Sequence, residues 1–92
     1  MVNVILPKRH ATDYFELTQE EKIVCDDLLK EGRALVRQKD DSVAGFNIGM
    51  NCGKVAGQTI FHCHIHLIPR HAGDISEPRG GIRNIIPGKG NY

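Results

Sequence analysis

Residues 59–69 read TIFHCHIHLIP, so three histidines alternate with apolar residues inside one short stretch. Successive side chains of a β-strand point to opposite faces of a sheet, so His62, His64 and His66 are expected to share one face. The opposite face is then formed by Thr59, Phe61, Cys63, Ile65 and Leu67. The pattern predicts a strand over residues 59–68 that carries chemistry on one side and packing on the other.

The residues before this stretch predict a short strand and one long helix. Residues 2–6 are apolar enough for a strand, which must stop at Pro7. Thr18 and Glu21 have the spacing of a capping box, and they predict a helix over residues 18–38. Its apolar stripe is formed by Val24, Leu28 and Leu35, flanked by Cys25, Leu29 and Val36.

The residues after the helix predict a second strand at 43–50 and a loop at 51–58. Gly53 and Gly57 allow the backbone N–H groups of this loop to approach a ligand closely. After Pro69 the sequence is rich in Gly, Pro and Arg, which is typical of an irregular tail over the sheet. The predicted fold class is α+β, a small and mainly antiparallel sheet with one principal helix.

Size and charge limit the classes of function. A chain of 92 residues predicts a single domain, residues 1–92, without a deep enclosed pocket. The formal net charge of +1 argues against a nucleic acid polymer as partner. From Asn51 onward, however, basic residues outnumber acidic ones. We therefore expect a local anionic ligand near the histidines.

The compartment is expected to be the cytoplasm. No signal peptide or membrane-spanning segment is expected, because the stretch before Pro7 is too short for either. Cys25, Cys52 and Cys63 are odd in number and irregularly spaced, which argues against a disulfide framework and for a reducing compartment. Cys63 is interpreted as a small core residue rather than a nucleophile.

Three interpretations of the histidines compete. Two strand histidines can bind zinc, but His62 and His66 would lie ~13 Å apart along an extended strand, so a three-histidine metal site is strained. A merely polar sheet face does not account well for three histidines in register. A neutral imidazole that attacks phosphorus or an acyl carbon is the third interpretation. The glycine-containing loop directly before the histidines favours nucleophilic catalysis.

The stretch from Gly57 to Arg70 resembles the signature of the histidine triad superfamily of nucleotide hydrolases and transferases, in which three histidines alternate with apolar residues. The resemblance extends forward through residues 70–74, which are similar to the Pro-Arg-x-x-Gly-Asp continuation of the diadenosine polyphosphate hydrolase and fragile histidine triad branches. It extends backward through residues 47–51 and 7–10. The phosphoramidase branch, which releases AMP from lysine conjugates, usually continues with Gly-Gly-Arg and is the alternative.

The resemblance implies roles for six residues. His64 would be the nucleophile that attacks the α-phosphorus and holds a covalent nucleotidyl group. His66 would contact the phosphoryl oxygens, and His62 would lie behind His64 and order the site. The expected nucleotide- and phosphate-binding residues are Asn51, Gln58 and Thr59. Arg70 and Lys54 are candidates for secondary charge stabilisation.

The resemblance does not include the N-terminal segment of the family. Family members begin with a helix and a hairpin that build the purine pocket, and this sequence is expected to be a shortened form that lacks them. Some bacterial members hold zinc with two N-terminal cysteines and histidines that match His10 and His62, so only half of that site is present here. No metal or cofactor is expected, apart from a divalent cation carried by a polyphosphate substrate.

Taken together, the resemblance implies hydrolysis of a dinucleoside polyphosphate such as diadenosine tetraphosphate, with a nucleotide as the partner molecule. The alternatives are the phosphoramidase and a nucleotide-binding regulator of low activity. Loss of front strands would expose a sheet edge, which proteins normally cover or pair. We therefore expect a homodimer, with the helix at residues 18–38 and the strand at residues 43–50 forming the interface.

Overall fold

The structure, a computed structural model, describes residues 3–76 together with residues 78 and 86. The described strands are β1 (Asn3–Ile5), β2 (Val43–Gly49) and β3 (Ile65–His71), and the one long helix is α1 (Gln19–Lys39). The strands form one antiparallel sheet in the order β1-β3-β2. The structure therefore confirms the predicted fold class of a small antiparallel sheet with one principal helix.

Helix α1 begins as its sequence predicts. The Thr18 side chain accepts a hydrogen bond from the Glu21 backbone N–H, and the Glu21 carboxylate accepts one from the Thr18 N–H, so the capping box is complete. The Glu21 carboxylate also accepts two hydrogen bonds from the Arg9 guanidinium. The bonds from Arg9 and Thr18 lower the pKa of Glu21 to about 2, because they favour the charged carboxylate.

The face of α1 that packs on the sheet differs from the predicted stripe. Cys25 is buried and Leu29 and Val36 are half-buried, whereas Val24, Leu28 and Leu35 remain exposed. The sequence offers two neighbouring apolar stripes on this helix, because each residue of one set is followed directly by a residue of the other. Only contact with the sheet shows which stripe is buried. The stripe predicted as central is therefore the outer edge of the packing face.

The predicted histidine strand begins later and ends later than expected. Residues 60–62 are bends, and β3 covers Ile65–His71. Among the described residues β1 pairs only with Ile65–Leu67, so the earlier positions have no strand beside them. Pro69 lies inside β3 but beyond its pairing with β1, where the strand has one neighbour and the missing N–H is tolerated.

The predicted alternation of buried and half-buried side chains begins only at Cys63. Cys63, Ile65 and Leu67 are buried and lie on the core side, as predicted. Thr59 and Phe61 were expected on the same side, but both are exposed, Phe61 by 49%. The bends at residues 60–62 interrupt the alternation of side chains between the two faces. Thr59 and Phe61 therefore do not face the core.

The tail was predicted to be irregular from residue 70 onward. Arg70 and His71 instead extend β3, and a turn at residues 72–73 follows them. Most of the predicted tail, at residues 77, 79–85 and 87–92, lies outside the described residues. In the part of the chain that the structure describes, no helix is long and apolar enough to cross a membrane.

Candidate functional site

His62 and His64 lie directly before β3 and His66 is its second residue, and the rings of His62 and His64 are fixed by backbone carbonyl groups. His64 Nδ1 donates to the carbonyl oxygen of His62 at 2.9 Å. A carbonyl oxygen can only accept, so this bond requires the proton on Nδ1 and leaves a lone pair on Nε2 of the neutral ring. That tautomer is the one a nucleophilic imidazole needs.

His62 and His66 flank the nucleophile candidate in different ways. The rings of His64 and His66 meet edge to face, with 4.9 Å between their centroids. His62 Nε2 instead donates to the carbonyl oxygen of Pro7 at 2.9 Å, and its ring lies against His10 at 5.4 Å. All three triad rings are half-buried, so solvent or a ligand reaches them. The structure thus brings His64 and His66 together and places His62 toward the N-terminal connection.

The loop before the triad is shaped by its two glycines. Gly53 and Gly57 have φ values of +94° and +93°, a backbone conformation that other residues rarely adopt. Gly57 ends a short 3₁₀ turn at Lys54–Ala56, and a Cβ at Gly57 would lie 3.0 Å from the side-chain nitrogen of Asn51. The absence of a side chain at Gly57 therefore lets the Asn51 amide sit against the loop.

Gln58 and Thr59, two of the expected phosphate-binding residues, have contrasting environments. Thr59 is exposed, so its hydroxyl is available to a ligand. The Gln58 side chain is 2% exposed and bonds three backbone groups, namely Gly53 N–H, Thr12 C=O and Ile60 C=O. Its amide already has its partners inside the protein.

The connection between β1 and α1 supports the site through its backbone, and sequence reasoning missed this role. The carbonyl oxygens of Pro7, Ala11 and Thr12 accept hydrogen bonds from the His62 ring, the Cys63 N–H and the Gln58 amide, respectively. Main-chain acceptors carry no side-chain signature, so no residue type in this segment could have indicated the role from sequence. Ala11 is fully buried, in a cluster with Leu17 and Cys63.

Cys63 packs behind the triad rather than taking part in it. Burial raises the pKa of its thiol, and the nearby thiols of Cys25 and Cys52 raise it further. Its Sγ lies 3.9 Å from the sulfur of Met50. A protonated, buried thiol is a poor nucleophile, so its environment supports a core role.

The candidate cations for charge stabilisation are not equivalent. Arg70 donates to Asp74 at 2.7 and 2.8 Å and to the Asn47 side chain at 2.6 Å, so its guanidinium is engaged near the end of β3. The bonds from Arg70 and one from the His71 backbone N–H hold the pKa of Asp74 well below its usual range. Lys54 is exposed on the 3₁₀ turn of the loop. Of the two, Lys54 is the more exposed, and it lies in the loop before the histidines.

The two histidines of the expected half zinc site lie side by side. His10 and His62 are adjacent, but His62 Nε2 is used by the Pro7 carbonyl. Within residues 3–76, 78 and 86, no three or more His, Cys, Asp or Glu side chains are grouped to hold a metal ion. A tetrahedral zinc site needs three or four such ligands.

The chain is similar to proteins of one family. The family model of the HIT domain matches residues 1–73. A 16.1 kDa HIT-like protein of Mycoplasma pneumoniae, described as uncharacterized, is 37% identical over 68 residues, which are 74% of this chain and 46% of that protein. The asymmetrical bis(5'-nucleosyl)-tetraphosphatase of Schizosaccharomyces pombe is 37% identical over 76 residues, which are 80% of this chain and 40% of that enzyme.

The fold is also shared with solved structures. A HIT family protein from Bacillus anthracis superimposes with a TM-score of 0.69 at 38% identity, over 75% of this chain and 48% of that one. The chain thus spans about half the length of such relatives.

Proposed function

Because the chain belongs to the HIT family, we propose that it is a nucleotide hydrolase or transferase that acts at an α-phosphate through His64. The observation that carries this proposal is the 2.9 Å hydrogen bond from His64 Nδ1 to the His62 carbonyl. It fixes the tautomer and leaves the Nε2 lone pair for attack. The similarity to the tetraphosphatase and the Pro69-Arg70 continuation support polyphosphates of two nucleosides as the substrate class.

The proposed reaction has two displacements. In the first, Nε2 of His64 forms a bond to the α-phosphorus while the bond from phosphorus to the leaving polyphosphate oxygen breaks. In the second, water forms a new P–O bond and releases a proton to the solvent, the P–N bond breaks, and the lone pair returns to Nε2 as a nucleoside monophosphate leaves. Splitting one difficult step into two is the gain of covalent catalysis.

The neighbouring residues supply charge stabilisation in this proposal. His66, whose ring meets that of His64, contacts the phosphoryl oxygens. Asn51 and the exposed Thr59 provide donors from the loop side, while Gln58 and Gly57 shape the loop. Donors that are already fixed stabilise the developing negative charge without reorganising, which is the largest contribution in many enzymes. His62 orders the site through its own carbonyl group and its bond to Pro7.

The test is release of AMP from diadenosine tetraphosphate by the purified protein and by His64→Ala. We expect the variant to lose activity by ~10⁴-fold or more, because the nucleophile is removed. His71→Ala is the matched control, since His71 bonds Asp40 at the far end of β3 and should keep activity. Acid quenching followed by peptide mass spectrometry should find the nucleotidyl group on His64. Equal background release by wild type and His64→Ala would end the enzyme proposal.

The same purified protein distinguishes the two alternative functions from the proposed one. Faster release of AMP from a lysine phosphoramidate than from diadenosine tetraphosphate would favour the phosphoramidase. AMP binding without turnover of either substrate would favour the regulator. The cytoplasmic location and the single domain over residues 1–92 stay predictions.

We further propose that two copies associate through α1 and β2. The support is a shared apolar surface: a groove of about 250 Å³ lies between the helix and the strand, lined by Leu29, Lys30, Arg33, Phe46, Ile48 and Leu67. Ile48 is 52% exposed on β2, which lies at one edge of the sheet. Pairing edges and covering such side chains both favour association.

Light scattering after size exclusion tests the dimer. Wild type is expected to have twice the mass of one chain, and Ile48→Lys should shift it toward a single copy. Ile75→Lys is the control, because Ile75 is also exposed but lies beyond β3. A stable single copy of the wild type would contradict the proposal.

A further inference from the structure

Gln58 is the one described polar side chain that is fully buried, and its amide is fully engaged. Its oxygen accepts from the Gly53 N–H at 2.8 Å. Its nitrogen donates to the carbonyl oxygens of Thr12 at 2.6 Å and Ile60 at 3.1 Å. A glutamine has two N–H donors, so none is left for an oxygen of a bound phosphate.

The three partners of this amide belong to three different segments. Thr12 lies in the connection before α1, Gly53 lies in the glycine loop, and Ile60 lies in the bends that lead into the triad. The Gln58 backbone N–H adds a fourth link, since it donates to the Gly53 carbonyl at 3.0 Å. One residue thus fixes the loop relative to the segment that carries His62 and His64.

We propose that Gln58 is a positioning residue, which holds the loop donors and the nucleophile in register while its own side chain does not touch the phosphate. Its effect on turnover rests on the proposed function, but its hydrogen bonds do not. Reacting groups must be held within a fraction of an ångström for efficient attack. Loss of the amide would leave one N–H and two carbonyl groups without partners, and the loop and the triad segment would shift relative to each other.

Nuclear magnetic resonance tests the contact directly, with AMP as the probe. In the free protein, the two side-chain N–H signals of Gln58 should exchange with solvent much more slowly than those of Gln38, which is exposed on α1. On addition of AMP, they should move less than the backbone signals of Gly57 and Thr59. Exchange as fast as that of Gln38, or the largest shift on AMP addition, would overturn the proposal.

Kinetics test the consequence for catalysis. In Gln58→Glu the side chain keeps its shape but loses both donors when ionised and one of the two when protonated, and in Gln58→Met it loses all hydrogen bonds. For both variants we expect kcat to fall by up to ~10²-fold, as misplacement of about an ångström does, with little change in KM. Gln38→Met is the control and should match wild type.

The result that contradicts positioning is a raised KM with unchanged kcat, because that pattern indicates a contact made equally in the ground state. If Gln58→Met does not fold, the positioning role is tested by the resonance experiment on wild type and by the kinetics of Gln58→Glu. If wild type itself does not turn over, the proposed function fails and the resonance experiment alone decides whether the amide faces the protein or the ligand.

Discussion

Replacing Gly57 by alanine should damage both stability and turnover, for two separable reasons. The backbone at Gly57 has φ +93° and ψ +9°, in the left-handed region, where an L-residue costs roughly 1–2 kcal/mol. The added Cβ would also lie 3.0 Å from the Asn51 side-chain nitrogen, closer than such contacts normally are. The Asn51 amide must therefore move by a few tenths of an ångström, away from the position that we propose for phosphate binding.

Gly73→Ala separates the two effects. Gly73 also has positive φ, at +78°, but a Cβ there meets nothing within 4 Å, and the residue follows β3. Urea unfolding should show a loss of roughly 1–2 kcal/mol for both variants, because they share the backbone cost. The rate of AMP release from diadenosine tetraphosphate should fall by up to ~10²-fold in Gly57→Ala, whereas Gly73→Ala should match wild type. Equal turnover in the two variants would refute the coupling between Gly57 and Asn51.

Three further predictions concern stability. Leu67→Ala should cost about 2–5 kcal/mol in urea unfolding, because Leu67 is 1% exposed, whereas Leu35→Ala on the outer edge of α1 should change little. Thr18→Ala should cost about 1 kcal/mol and lower the helical signal on heating, since it removes the cap. Glu21 has a pKa of about 2, below the 4.5 of a free glutamate, so its stabilisation is complete above that ordinary value and is lost as pH falls toward 2. An acid titration of unfolding should therefore be shallower for Glu21→Gln, and identical curves would contradict the lowered pKa of Glu21.

Local signals predicted much of the fold. The Thr18 and Glu21 capping box marked the helix start, and Pro7 marked the end of the first strand, because both act within a few residues. The packing face of α1 was predicted less well, since Val24 and Cys25 are both apolar and only the sheet selects between them. The histidine strand began six residues late for a similar reason: a strand needs a neighbour, and β1 ends at Ile5, opposite Ile65.

In the candidate site, too, local sequence signals were informative and long-range contacts were not. Spacing and resemblance identified the three histidines, and the structure gives His64 a fixed tautomer through the His62 carbonyl. The sequence could not show that the Gln58 amide faces inward, because Thr12, one of its partners, lies 46 residues away. Long-range contacts of this kind depend on how the chain closes, whereas turn and cap residues act on their neighbours.

The connection between β1 and α1 holds the site with carbonyl groups, at Pro7, Ala11 and Thr12. Every amino acid carries a backbone carbonyl, so this support does not depend on side-chain identity, apart from the space that limits Ala11 to a small residue. It depends instead on the number of residues between the three acceptors. The segment should therefore drift in sequence more freely than in length: point changes at its exposed positions leave the acceptors in place, whereas one inserted or deleted residue moves them out of register with the histidines.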